Sequence, residues 1–324
     1  MKKLIMLLLA AFVMLTAAAC GSGEKADVNI TILSGPSGMG AVKLMEDNAN
    51  GATKNNYIFT VSTTPDEVSA ALISGTTDIA AVPSNVASVL YNKTEGGIKV
   101  LVSSTKGVLY LLDTTGTVKS VADLRGKKIY ATGQGATPEY ILNYILTSNG
   151  LDVAADVEIE YIAAHAELAT MLASGSGGVE IAVLPEPNVS VVKSANPNVN
   201  VALNITEEWN KTSGGNSSLL QGVVVVRTEF LENNPDAVKK FMEEYKKSVE
   251  YVNENNADAA DLISKFKIVE KAEVALAALP NCNITYIDGA DLKTQLGGFL
   301  NVLFEANPAA VGGKLPDDAF YYSK

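Results

Sequence analysis

The stretch PDEVSAALISG at residues 65–75 returns one hundred residues later as HAELATMLASG at 165–175. Glu67 matches Glu167, Leu72 matches Leu172, and Ser74-Gly75 matches Ser174-Gly175. Downstream, DIAAVPS at 78–84 has its counterpart in EIAVLPE at 180–186. Upstream, ILSGPSG at 32–38 has a looser one in YATGQGA at 130–136. Three correspondences in one order indicate two copies of a unit of about a hundred residues, and an internal repeat governs the fold reading. Each copy reads strand, glycine-rich turn, helix, strand, helix, strand, proline, helix, which predicts an α/β unit with a largely parallel sheet.

Local signals agree. Val28 to Leu33 and Tyr57 to Ser62 read as strands, and Ala41, Leu44 and Met45 recur at helical spacing. Thr64-Pro65-Asp66-Glu67 offers a capping residue, a proline at the first helical position and an acidic first turn, with Gly75 as the stop. In the second copy Ser120 to Asp123 is a capping box before a strand at 127–132, and Thr137-Pro138-Glu139 opens a helix ending at Asn149-Gly150. Two apolar runs, 107–113 and 221–227, are expected to leave the first lobe and return to it. Beyond them, Val238, Phe241, Met242, Tyr245, Val249 and Val252 mark one face of a helix beginning near Pro235, with further helices at 257–266 and 290–305. The expected division is a discontinuous first lobe, 28–112 plus 223–324, and a contiguous second lobe, 113–222.

At 324 residues the chain is too long for one core, so two domains accord with its size. The formal charge of −11 and the presence of only Arg125 and Arg227 exclude a nucleic-acid partner, since phosphate repels such a chain. One histidine and two cysteines cannot build a multi-histidine or four-ligand metal centre, so no metal or cofactor is expected.

Lys2 and Lys3, the apolar run Leu4 to Leu15, and then Ala17, Ala18, Ala19 and Cys20 compose a secretory signal. The order resembles a bacterial lipoprotein signal, which implies 1–19 as the peptide removed, Cys20 as the lipidated residue and 20–27 as a tether. An ordinary signal peptide cut after the alanine triplet is the alternative. Lipidation of Cys20 would leave Cys282 as a lone thiol and the exported body at −13, since Lys2 and Lys3 go with the peptide.

Two α/β lobes joined by two strands enclose a cleft, and open α/β sheets bind ligands at strand ends. The loops 34–40, 83–85, 132–137 and 185–188 each precede a helix and offer backbone N–H groups there.

The signal, the Gly35-Pro-Ser-Gly turn, the stretch SAALISGTTDIA at 69–80, SVADLRGKKI at 120–129, LPEP at 184–187 and FLENNPDAV at 230–238 together resemble the substrate-binding lipoproteins of ABC importers in the nitrate/sulfonate/taurine group, the NMT1/THI5-like proteins. That group includes relatives binding thiamine-pyrimidine precursors. The resemblance implies a type II periplasmic-binding-protein fold, closure on a small polar solute (a sulfonate- or nitrate-like anion, or a pyrimidine-type heterocycle), and delivery by a monomer to a permease with a cytoplasmic ATPase. By position it implies Ser37, Gly38 and Met39 on the first-lobe floor, Ser84 and Asn85 in its second loop, Gly135, Ala136 and Thr137 on the facing lobe, and Glu186 at the Glu-Pro corner. Glu186 would either accept hydrogen bonds from the ligand or cap the next helix. Trp209 and Tyr110 would stack on a ring or fill the core. His165 is expected at a helix start, away from the cleft.

The scarcity of arginine leaves no evident guanidinium clamp for an oxyanion. No P-loop motif is present, so the chain does not itself hydrolyse ATP. The absence of a nucleophile–base motif favours a receptor over an enzyme, with a pyrimidine synthase or a carboxylate-based eliminase or dehydratase on the same fold as the alternative.

Overall fold

The computed structural model describes residues 25–214 and 217–323. The signal segment, Cys20 and most of the expected tether lie outside the described residues.

Two sheets organise the molecule. In the first the order is β11(Ile284–Ile287)-β4(Ile98–Lys106)-β10(Leu220–Arg227)-β3(Ile79–Pro83)-β1(Asp27–Leu33)-β2(Asn56–Ser62), and in the second it is β7(Glu158–Tyr161)-β6(Lys128–Ala131)-β8(Ile181–Pro185)-β5(Leu109–Asp113)-β9(Asn200–Asn204). In each, three strands run parallel and the next neighbour runs antiparallel: β10 against β3, β5 against β8. The repeat inferred from sequence is therefore a repeat of topology. Its two signature segments are the helices Pro65–Ser74 and His165–Ser174, each stopped by a glycine in the left-handed region, Gly75 at φ 74° and Gly175 at φ 69°. A side chain with a Cβ is disfavoured there, which is why the Ser-Gly pair recurs. Thr64 caps the first of them by accepting the Glu67 N–H, and Ser120 with Asp123 forms the expected capping box.

Both faces of each sheet are covered, as an α/β architecture with parallel strands requires. Alternation along the strands assigns the faces. In β10, Val224 and Val226 pack with the helix Pro235–Glu254, whose Val238, Phe241, Met242, Tyr245, Val249 and Val252 are all buried as its spacing predicts, whereas Val223 and Val225 face the opposite core. In β5, Tyr110 and Leu112 face one core and Leu109 and Leu111 the other.

Two expectations about the lobes change. The 109–113 strand pairs only with β8 and β9, so it belongs to the second lobe, and β10 from Leu220 onward belongs to the first. The boundaries at 112/113 and 222/223 move to the short crossings at 107–108 and 217–219. A strand needs neighbours to satisfy its backbone, so each run completes a sheet and leaves the bending to the residues beside it. The C-terminal helix Gly289–Ala306 also does more than pack on the first lobe. Its Phe299 meets Trp209 of the second lobe edge-on at 5.5 Å, and beyond its end Asn307 donates to the Tyr140 hydroxyl at 2.8 Å.

Candidate functional site

Between the sheets lies a cavity of about 1110 Å³. Its walls come from the loops following β1, β3, β6 and β8, joined by residues of β4, β10 and the segment 268–274. The C-terminal ends of equivalent strands from both copies of the repeat thus face one cleft.

On the first lobe, Ser37 lines the cavity and Gly38 and Met39 do not. Pro36–Met39 form a single helical turn that carries Met39 inward, fully buried in the core beside Val42 and Phe241. Gly38 sits on the end of β1, where a Cβ would lie 2.2 Å from the Leu33 carbonyl oxygen. Its role in the turn is therefore close packing, and the expectation that Gly38 and Met39 form the floor is corrected: the cleft surface is made by Ser34, Gly35, Pro36 and Ser37. Ser84 and Asn85 both line the cavity. The Ser84 hydroxyl is committed to the Leu220 carbonyl, and Asn85 Nδ2 reaches the Ala310 carbonyl at 3.5 Å.

On the second lobe, Ala136 and Thr137 line the cavity with Gly133 and Pro138. Gly135 does not; its N–H donates to Glu139 Oε2 as the loop folds back on its own helix, which removes it from the cleft.

His165 departs further from expectation. It lines the cavity, and its Nδ1 is 2.6 Å from Thr132 Oγ1. It stays open to the cleft, yet the protein around the imidazole removes enough water to hold its pKa below the usual histidine value. The repeat contained the missing signal, because His165 aligns with Pro65 and Pro65 lines the cavity too.

Glu186 is 2% exposed and contributes to the cavity wall. Its carboxylate accepts from Ser190 N and Ser190 Oγ, each at 3.1 Å, and so caps the helix Asn188–Ala195. It also accepts from Asn281 Nδ2 of the first lobe at 3.3 Å. Burial pushes its pKa up, opposed by the bonds from Ser190 and Asn281. Tyr110 donates to the Asn281 carbonyl at 2.8 Å, and Asn283 Nδ2 to the Gly107 carbonyl at 2.6 Å, so the 281–283 segment grips the second lobe and the crossing together. Burial and then the Glu186 charge push the Tyr110 hydroxyl up to about 12. Neither candidate stacking ring serves the cleft: Tyr110 is tied to Asn281, and Trp209, fully buried, packs between Tyr144 and Phe299.

Sequence reasoning also missed Thr105, Gln221 and Lys271, all of which line the cavity. Thr105 and Gln221 flank the crossings, so a corrected boundary would have found them.

Residues 63–259 match the family model described as NMT1/THI5 like. The chain belongs to the NMT1/THI5-like family. No curated protein matches the chain at a significant level. Among solved structures, this NMT1/THI5-like chain resembles an ABC transporter protein from Parabacteroides distasonis, with 24% identity, TM-score 0.78, and 93% of this chain and 100% of the other covered. It also resembles the periplasmic aliphatic sulphonate binding protein of Escherichia coli, with 15% identity, TM-score 0.70, and coverage of 89% and 94%. A third similar structure is the alkanesulfonate-binding protein of Xanthomonas axonopodis pv. citri bound to MOPS, with 15% identity, TM-score 0.62, and coverage of 91% and 96%. These likenesses establish the type II periplasmic-binding-protein fold for the NMT1/THI5-like chain.

Proposed function

We propose that this protein is an extracytoplasmic solute receptor that captures a small polar solute by closing its two lobes and delivers it to an ABC importer permease served by a cytoplasmic ATPase. The observation that carries this reading is the cavity itself, walled by equivalent loops from both copies of the repeat. A solute touching both walls stabilises the closed arrangement over the open one by its differential contacts. The relatives described as sulphonate binders bring a sulfonate-like anion to this cleft as one ligand class, and the family resemblance brings a pyrimidine-type heterocycle as the other.

Binding rather than turnover is the role. The Glu186 carboxylate is occupied by Ser190 and Asn281, and among the described residues no carboxylate hydrogen-bonds the imidazole of the His165–Thr132 pair. We assign residues 1–19 as a signal peptide and Cys20 as the lipidated first residue of the mature chain, holding a monomeric receptor on the outer face of the cell membrane.

Thermal-shift and small-angle scattering measurements with sulfonates, nitrate, amino acids and heterocycles test the receptor. Stabilisation with a fall in radius of gyration is expected for at least one class. A panel giving neither sinks the reading. Incorporation of labelled palmitate, lost in Cys20→Ala, tests the anchor.

A further inference from the structure

Five helices of eight or more residues begin at the cavity wall, at Pro65, Ser84, Thr137, His165 and Asn188. Such convergence of helix N-termini favours an anion when nothing else neutralises it. Here the chain answers four of the five with its own carboxylates. Asp66 and Glu67 lie in the first turn of the Pro65 helix, Glu139 in that of the Thr137 helix and Glu167 in that of the His165 helix, while Glu186 accepts the Ser190 N–H of the Asn188 helix. Only the helix starting at Ser84 has no acidic group there.

Side-chain cations do not restore a positive field. Arg125 is paired with Asp156, and Arg227 with Asp78 and Glu229, all outside the cavity wall. Among the described lining residues Lys271 is the one lysine or arginine, and the same lining holds two glutamates, Glu186 and Glu270. An oxyanion entering this cleft would surrender its hydration without a buried positive partner, which is costly.

The buried side-chain polar atom of the lining that lacks a partner among the described residues is uncharged. Thr105 lines the cavity at 2% exposure, and its Oγ1 is buried with no hydrogen bond among the described residues. Next to it stands Gly222, where a Cβ would lie 3.1 Å from Ser37 Oγ, 3.1 Å from Thr105 Cβ and 3.0 Å from Ser104 Oγ. A larger residue there would crowd both Ser37 and Thr105. Gln221 Oε1 accepts the Val108 N–H at 2.8 Å, which fixes the amide, and Nε2 donates no hydrogen bond among the described residues. Around this floor the walls are apolar, with Pro65, Pro83, Pro138, Val86, Ile268 and Phe299 among them.

Resting on the receptor reading above, we propose that Thr105, Gln221 and Ser37 form an uncharged hydrogen-bonding subsite on the crossing side of the cleft. It selects a solute with a neutral polar head, of amide or sulfonamide type, on an apolar body, over an oxyanion of the same shape. A buried hydroxyl and a fixed amide donor are satisfied by a carbonyl or sulfonyl oxygen, and the carboxylates around the helix starts penalise added negative charge.

Isothermal titration of the full-length chain with two matched pairs, benzenesulfonamide with benzenesulfonate and benzamide with benzoate, tests this. The neutral member of each pair is expected to bind at least about tenfold more tightly. Thr105→Val and Gln221→Leu should each weaken the neutral member by roughly three- to tenfold, with Thr105→Ser restoring affinity and circular dichroism confirming the fold. Equal or tighter binding of the charged members overturns the inference while leaving the receptor reading intact. Neutral binding insensitive to both substitutions overturns it too. Failure of both pairs, together with every class in the functional panel, sinks the receptor reading and the inference with it.

Discussion

Asn281 Nδ2 of the first lobe lies 3.3 Å from Glu186 Oε1 of the second, and Glu186 itself lines the cavity between the sheets. The same asparagine accepts the Tyr110 hydroxyl through its carbonyl, so one residue ties two strands' ends of the second lobe to the first. A helix cap thereby also serves as a strut between lobes.

Removing that strut should loosen the unliganded protein. Asn281→Ala is expected to raise the radius of gyration of the unliganded chain in small-angle scattering and to cost about 1 kcal/mol of stability, since one hydrogen bond to a carboxylate is lost. An unchanged scattering profile would show that other contacts set the lobe angle.

The pH dependence of stability should carry a Glu186 contribution of definite sign. Its folded pKa is raised by burial above the unfolded value of about 4.3. The folded state therefore holds the proton more tightly. That stabilisation is complete below about pH 4.3 and is lost as pH rises through the folded value. Melting temperatures of wild type minus Glu186→Gln should accordingly fall as pH rises from about 4 to 7. A difference that rises with pH would contradict a raised pKa.

His165 should behave oppositely. Its folded pKa is depressed by loss of water around the ring, so its contribution to stability is present above the unfolded value of about 6.5 and is lost as pH falls through the folded one. As the chain's one histidine, it gives one imidazole Cε1–H signal in proton NMR. The titration midpoint is expected below about 6.5. A midpoint above that value would mean that the ring is better solvated, or faces more negative charge, than its position indicates.

Trp209 anchors the packing of the second lobe against the C-terminal helix. It is fully buried, 4.5 Å from the Tyr144 ring and 5.5 Å from Phe299, with Nε1 donating to Ser217 Oγ at 3.3 Å. Trp209→Ala should destabilise by about 3–5 kcal/mol in denaturant unfolding. Trp209→Phe, which keeps most of the volume but loses the donor, should cost less. Equal losses in the two variants would point to the hydrogen bond rather than the packing.

The architecture was legible because the repeat preserves what a helix end demands. Gly75 and Gly175 occupy the same left-handed stop a hundred residues apart, and no side-chain chemistry elsewhere disguises that. The amphipathic face from Val238 to Val252 was legible for a similar reason, since 3.6-residue spacing alone identifies the buried stripe. The cleft was harder. Within one turn, Ser37 faces the cavity and Met39 the core, and sequence spacing cannot decide which end of a four-residue turn points inward. Glu186 combines a local bond to Ser190 with a distant one to Asn281, and only the first can be read from neighbours in sequence. Thr105 acquires its importance from β10, which arrives more than a hundred residues later.

That late arrival governs how the chain can assemble. In the first sheet, β4 has only β10 and β11 as neighbours, and both follow the entire second lobe. A nascent chain can pair β1, β2 and β3, but β4 stays an open edge until residue 220 has emerged. A folded second lobe holds its own ends together, where Val108 N–H meets Gln221 Oε1, and so closes a loop of over a hundred residues that brings β10 back to β4. The host sheet therefore depends on an element that the chain supplies only after the inserted lobe, and slowing that lobe's folding should leave β4 exposed to mispairing.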